Sequence, residues 1–332
     1  MAQESSLNQM RSTWREWLLA IWLGVWTGCA TGNHTPELDQ RYRAASRALD
    51  EGRWELAARH FYALWQDDDA SNASVSGWAR ALLGQGQPDS ALSILLVSRE
   101  RQDDAELAYL TGRALEQLDR PGAAREAYAG ALALDPDRHD ALTRLGHSLA
   151  QAGDAEGAAP LLLRAAKLAA SDFELARAAA LAAGTAGQED LESEALQLLI
   201  EQGEARPDEL LRGAQLLLSQ GTSDFERNAR AEAWLTRAVE LDPQIAPAWT
   251  GLARMRASRG EVASAMSAYE RAVEADPSES EALLELAQLS QQAGRLGRAR
   301  TLVEHALSFL NDPKQRTPFE GLRAELDAAV NR

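Results

Sequence analysis

The chain has 332 residues, 45% of them hydrophobic and 25% charged, a composition that folds and that fits two ordinary domains or one elongated array. Asp and Glu number 50 against 34 Lys and Arg, a formal charge of −16, so the counterion-release drive toward nucleic acid is missing. One cysteine excludes an intramolecular disulfide framework and a multi-thiolate metal site.

The one strongly apolar run is Trp17 to Trp26, preceded by Arg11 and Arg15 and followed by Thr27, Gly28 and Cys29. A membrane-spanning helix needs about 20 apolar residues, so a run of roughly half that length reads as the core of a signal peptide. Met1 to Gln9 carries no basic residue, whereas a chain starting at Met10 would open on Arg11 and Arg15, the usual basic leader. Trp26-Thr27-Gly28-Cys29 resembles the lipobox of bacterial lipoproteins, where a small residue precedes the cysteine that is diacylated and becomes the mature N-terminus. Trp26 stands where that family has an aliphatic residue, and an uncleaved anchor is the alternative. The resemblance implies a signal peptide over 1–28, lipidation at Cys29 and a lipidated tether over 29–37, with several acyl chains for stable attachment. Ala30, where an aspartate would retain the protein at the inner membrane, implies the outer membrane facing the periplasm. Membrane contact is then through the lipid alone.

Beyond the tether the sequence repeats. Gly-Arg-Trp-Glu-Leu-Ala-Ala at 52–58 returns as Gly-Asp-Ala-Glu-Gly-Ala-Ala at 153–159 and Gly-Glu-Val-Ala-Ser-Ala-Met at 260–266. The period is about 34 residues, and starts at Leu38, Asn72, Ala105, His139, Phe173, Pro207, Ala246 and Ser280 divide the chain into eight units, the sixth with an insertion. Apolar residues at three- and four-residue spacing predict two amphipathic helices per unit, and Ala and Gly at their crossing permit close approach. A glycine ends each first helix in the left-handed conformation: Gly52, Gly86, Gly153, Gly187, Gly221, Gly260 and Gly294, with Asp119 standing in once. Pro136, Pro243 and Pro277 punctuate the ends of second helices. Thr222 to Asn228 reads as a loop extension inside the sixth unit. Phe319 to Val330, with Leu322, Leu326 and Val330 on one face, reads as the capping helix that a solenoid end requires.

This pattern resembles the tetratricopeptide repeat, whose helix-turn-helix unit has small residues at its eighth and twentieth positions and apolar ones at the fourth, eleventh and twenty-fourth. Trp249, Leu252, Ala253, Gly260, Ala265, Tyr269, Ala272 and Pro277 match it best. The resemblance covers residues 38–312 and implies an all-α, right-handed superhelix of about eight helix-turn-helix units, with 313–332 as capping helix and tail.

Catalytic constellations are missing from the sequence. The five histidines are scattered among units, no metal-binding His-Glu-x-x-His occurs, and Gly84-Gln85-Gly86 reads as a helix-end turn without a preceding strand. No enzyme activity, metal or cofactor is expected. In tetratricopeptide arrays the first helices line a concave groove, and mapping its fifth, ninth and twelfth positions gives Arg80, Tyr109, Arg113, His147 and Arg177 across units two to five, then Leu181, Leu211 and Leu218 in units five and six. The first group reads as a basic and aromatic face for an acidic or mixed acidic-apolar peptide. Glu106, Asp140, Glu174 and Glu281 at second positions offer the other outcome, in which each arginine pairs with the next unit.

The function implied is a non-catalytic adaptor that binds a protein or peptide partner during assembly of a pilus, secretion channel or cell-wall complex. Two rivals stay open: an assembly chaperone or pilotin for a secretin or pilin subunit, using the leucines, and a polysaccharide-export scaffold, using the arginine and aromatic face. Lipidation is directly testable. Cys29→Ser is expected to leave an unprocessed, unacylated precursor by mass spectrometry, and a wild-type protein that has lost its apolar run yet carries no acyl group on Cys29 would refute the lipobox reading.

Overall fold

The computed structural model describes residues 36–66, 71–99, 104–169, 171–219 and 225–330. Cys29 and every expectation on the segment before residue 36 lie outside the described residues, as do Gly221 and the start of the insertion at Thr222. The described residues form helices and turns, with no strand among them. The chain divides into two compact units, residues up to 141 and from 142 onward.

The first unit holds α1 (Pro36–Asp50), α2 (Trp54–Gln66), α3 (Asn72–Gly84), α4 (Pro88–Arg99), α5 (Ala105–Gln117) and α6 (Pro121–Leu134), and α7 (His139–Gln151) begins in it and runs on past its end. The second holds α8 (Ala155–Leu168), α9 (Phe173–Ala186), α10 (Glu189–Gln202), α11 (Pro207–Ser219), α12 (Phe225–Leu241), α13 (Ala246–Ser258), α14 (Val262–Ala275), α15 (Ser280–Gln292), α16 (Leu296–Phe309) and α17 (Pro313–Val330). In chain order these are eight helix pairs and a final helix, the all-α solenoid architecture expected from the repeats.

Local chemistry sets the helix ends. Ser71 accepts from the Ser74 amide, Asp104 from those of Glu106 and Leu107, and Asp154 from that of Gly157, each satisfying orphan donors of a first turn. The turns between paired helices take the left-handed conformation at Gly52, Gly86, Gly153, Gly187, Gly260 and Gly294, and Asp119 joins them at φ 56°. Asp is among the few residues that tolerate this region, because its short side chain bonds locally. Three second helices end on Asp-Pro, and there Asp135, Asp242 and Asp276 each accept the amide two residues on, closing the inter-repeat turn.

Three details depart from the sequence pattern. Phe225 to Asn228, expected in a loop, are helical, so the longer sixth unit extends α12. The capping helix begins at Pro313 rather than Phe319, and it contains Pro318. Pro160 lies inside α8; a proline there cannot donate to the Glu156 carbonyl, and Gln188 Nε2 donates to it instead at 3.5 Å.

The core is built on small residues at the crossings. Alanines 57, 91, 124, 158, 231, 265 and 299, one in the second helix of all pairs but the fifth, are essentially inaccessible. Opposite them the first helices carry Ala45, Ala79, Ala214, Ala253 and Ala287, equally inaccessible, or glycine. At Gly112 an added Cβ would lie 2.5 Å from the Tyr128 ring, and at Gly146 it would lie 2.7 Å from Leu162. Large residues then fill the remaining volume: Phe61 and Leu64 in the first unit, Leu235 and Leu252, Tyr269 and Leu286, and Phe319 and Leu326 in the second.

The fifth pair breaks the rule, with Glu192 where the others have alanine. Its carboxylate is buried beside Gly184 and is gripped by Arg212 through two bonds of 2.7 Å each, which raises the Arg212 pKa above its ordinary value. Arg212 reaches solvent, 45% exposed against 8% for Glu192. Removing the accessible partner strands the buried carboxylate, at a cost of up to about 3–5 kcal/mol, whereas removing the carboxylate leaves only an arginine that already reaches solvent. Arg212→Ala is therefore expected to lower the melting midpoint sharply and Glu192→Ala to leave it nearly unchanged; equal effects in thermal melts followed by circular dichroism would contradict this asymmetry.

Candidate functional site

In the first unit α1, α3 and α5 carry the groove positions, and a cavity of about 400 Å³ opens among them. Leu49, Trp54, Leu83 and Leu110 give it an apolar wall, and Arg80, Tyr109, Arg113 and Asp140 give it a polar one. Trp54 reaches the cavity because Gly84 lacks a side chain: a Cβ there would sit 2.5 Å from the indole. Gly84 is thus the seat of an aromatic wall, while Gly86 alone makes the turn.

The cations differ in how far they are already engaged. Arg80 donates through Nε and Nη2 to Glu106 Oε1 at 2.9 and 2.5 Å. Arg138 bonds the other oxygen of the same carboxylate, and its guanidinium carbon lies 4.8 Å from the centre of the Tyr109 ring. With Arg138 at that distance and the Tyr128 ring 5.8 Å away, Tyr109 is 7% exposed and forms wall rather than platform. Arg113 is the exception. It lines the cavity and has no ion pair or hydrogen bond to a described residue, and the nearby Asp140 instead faces His139 Nδ1 at 3.8 Å.

In the second unit Arg177 is fully engaged, donating to Glu209 and Glu174 at 2.6 Å each and to the Glu204 carbonyl at 3.1 Å. It is 17% exposed, and the hydrogen bond to Glu209 raises its pKa further above the ordinary arginine value. Arg254 likewise bonds Glu281. Pairing with the next helix pair therefore occurs at Arg80, Arg177 and Arg254 and fails at Arg113. His147 is exposed. Of the three leucines, Leu181 is 73% exposed, whereas Leu211 and Leu218 pack partly against the core around Leu210 and Leu217. Among the described residues no group of His, Cys, Asp and Glu could hold a metal ion, and no helix is long and apolar enough to cross a membrane.

Sequence reasoning did not bring Leu49, Leu83 or Trp54 to this site. The first two occupy the twelfth groove position, so their signal was available; Trp54 enters from a second helix, and only the missing side chain of Gly84 admits it.

Comparison with known proteins agrees with this architecture. One model of the tetratricopeptide repeat matches residues 48–114 and 256–326, and a second matches 117–173 and 216–280. No curated protein matches the chain. Among solved structures, a chain of Naa15/Naa10 bound to HypK-THB is 15% identical with a TM-score of 0.51, over 89% of this chain and 46% of that one. A chain of the APC/C hetero-tetramer Cut9–Hcn1 is 15% identical with a TM-score of 0.39, over 85% and 54%. A tetratricopeptide repeat protein from Parabacteroides merdae is 15% identical with a TM-score of 0.41, over 77% and 100%. The chain spans about half the length of the Naa15/Naa10 and Cut9–Hcn1 chains it matches.

The burial difference between the engaged arginines has a measurable consequence. Arg177→Ala leaves the Glu209 side chain, itself 12% exposed, without its main donor, and should lower stability by about 1–3 kcal/mol. Arg80→Ala removes a pair in which the arginine is half exposed and should lower it by less than about 1 kcal/mol. Urea titrations of helicity check the order.

Proposed function

Because the chain carries tetratricopeptide repeats over most of its length, we propose that it is a non-catalytic scaffold that holds an extended segment of a protein partner in the groove of its first unit. The segment supplies a carboxylate to Arg113 and an apolar side chain to the wall of Trp54, Leu49 and Leu83. The observation that carries this reading is the unengaged Arg113 in a cavity that also has an apolar wall. A guanidinium suits this because its planar fork grips a carboxylate through two bonds. Arg80 and Arg177, already bound to carboxylates of their own chain, hold the groove in shape. His147 lies at a groove position of the second unit.

The Trp17 to Cys29 segment supports a working location at the periplasmic face of the outer membrane, with Cys29 lipidated, and so a role in assembling a pilus, secretion or cell-wall complex. A second reading, a chaperone that shields an apolar subunit, is favoured by Leu181 alone, which is 73% exposed on α9, since Leu211 and Leu218 are partly buried against the core.

Arg113→Glu in the full chain tests the groove. Loss of a charge-assisted contact of about 1.5–3 kcal/mol weakens binding roughly tenfold to a hundredfold. Partner capture from solubilised envelope should therefore drop, and its salt dependence with it, while helicity stays unchanged because Arg113 supports no internal pair. Undiminished capture would refute the Arg113 site, and a loss on Leu181→Ser in its place would move the site to the second reading.

A further inference from the structure

We propose that the aromatic edge at one end of the first helix pair is a bilayer-contact surface, with Tyr62 and Trp65 seated in the headgroup layer of a zwitterionic membrane. The proposal rests on the reading of the N-terminal segment as an anchor, lipidated or uncleaved.

Tyr62 and Trp65 on α2 and Trp78 on α3 form a three-ring cluster with centroids 5.1–6.1 Å apart. It lies at the rim of the helix-crossing core: Trp78 packs against the cluster around Phe61, which fills the slot beside Gly77. Two of the rings stand in the open: Tyr62 is 41% and Trp65 39% exposed. The Tyr62 hydroxyl is held by Gln66 Nε2 at 2.7 Å, so the cluster has an apolar body and a polar rim. That combination places tryptophan and tyrosine at membrane-water interfaces, where one end is apolar and the other wet.

Topology puts the cluster where the chain leaves for its anchor. Consecutive helices α1 to α4 pack against one another, and short connections between packed helices make them antiparallel, so the start of α1 and the ends of α2 and α4 lie at the same end of the first unit. Leu96 and Val97, both exposed, occupy the last turns of α4 there. Only six residues lie between Cys29 and Pro36, seven chain steps with a reach of at most about 25 Å. A bilayer that holds Cys29, or the apolar run before it, is therefore within reach of this end. The tether makes the contact intramolecular, so even a weak interfacial preference suffices to keep it formed. The chain's formal charge of −16 favours an uncharged headgroup layer over an anionic one.

The full chain, purified from membranes and reconstituted in phosphatidylcholine vesicles that contain a photoactivatable phospholipid, tests this directly. After flotation and illumination, lipid adducts mapped by mass spectrometry are expected on Tyr62 or Trp65 and absent from Phe225, which is more exposed than either. Tyr62→Ser with Trp65→Ser should lose the adduct while the chain still floats, and phosphatidylglycerol in the vesicles should reduce it. A chain that floats but carries no adduct on α2 overturns this proposal alone. A chain that does not float overturns the anchor reading and this proposal with it. Chain-to-chain cross-links through Tyr62 or Trp65 in place of lipid adducts would assign the edge to a second copy and also overturn it.

Discussion

Close helix crossing is the constraint on which the rest of this fold depends. An interior built from Leu and Phe alone would hold paired helices apart, whereas alanine or glycine on both sides of a crossing lets backbones approach until neighbouring large side chains interlock. The inaccessible alanines at 57, 91, 124, 158, 231, 265 and 299 are the visible result. Because these contacts join helices adjacent in sequence, each pair is largely a local structure, and within each compact unit successive helices pack on their neighbours.

Glu192 shows what the constraint demands when it is broken. A carboxylate in the alanine slot is tolerated because glycine lies opposite and Arg212, from the next helix pair, supplies two donors. Desolvation of the carboxylate is then offset by charge-assisted bonds, at the expense of tying the two pairs together through one interaction.

The same crowding of arginine and glutamate governs the groove. On an acidic chain three of the groove arginines, Arg80, Arg177 and Arg254, find a carboxylate on the following helix pair. A cation that does not is then informative, and Arg113 sits where an apolar wall of Trp54, Leu49 and Leu83 adjoins it. The aromatic edge of α2 and α3 answers to a different physical preference, for an interface between apolar and wet surroundings, so the first unit presents two surfaces of distinct chemistry.

Much of the fold was legible in the chain itself. Helix pairs, their turn glycines and even the unusual Asp119 follow from local signals: periodic apolar residues, capping side chains, and backbone angles that few residues accept. The twelfth-position leucines of the cavity were legible for the same reason, since a position in a repeat fixes a face of a helix. The pairs Arg80–Glu106 and Arg254–Glu281 follow from ninth and second positions of consecutive units, but the partners of Arg177 and the lack of one among the described residues at Arg113 do not. Glu174, Glu204 and Glu209 all stood within reach of Arg177 on paper, as Asp140 did for Arg113, because charge alternation along a sequence leaves many pairings equivalent. Only the tertiary structure decided, since ion pairs form over a few ångströms and those distances depend on how closely the helices cross. The entry of Trp54 over Gly84 belongs to the same class: a vacancy one atom wide, created by two residues thirty positions apart, has no signature in the periodicity of either helix.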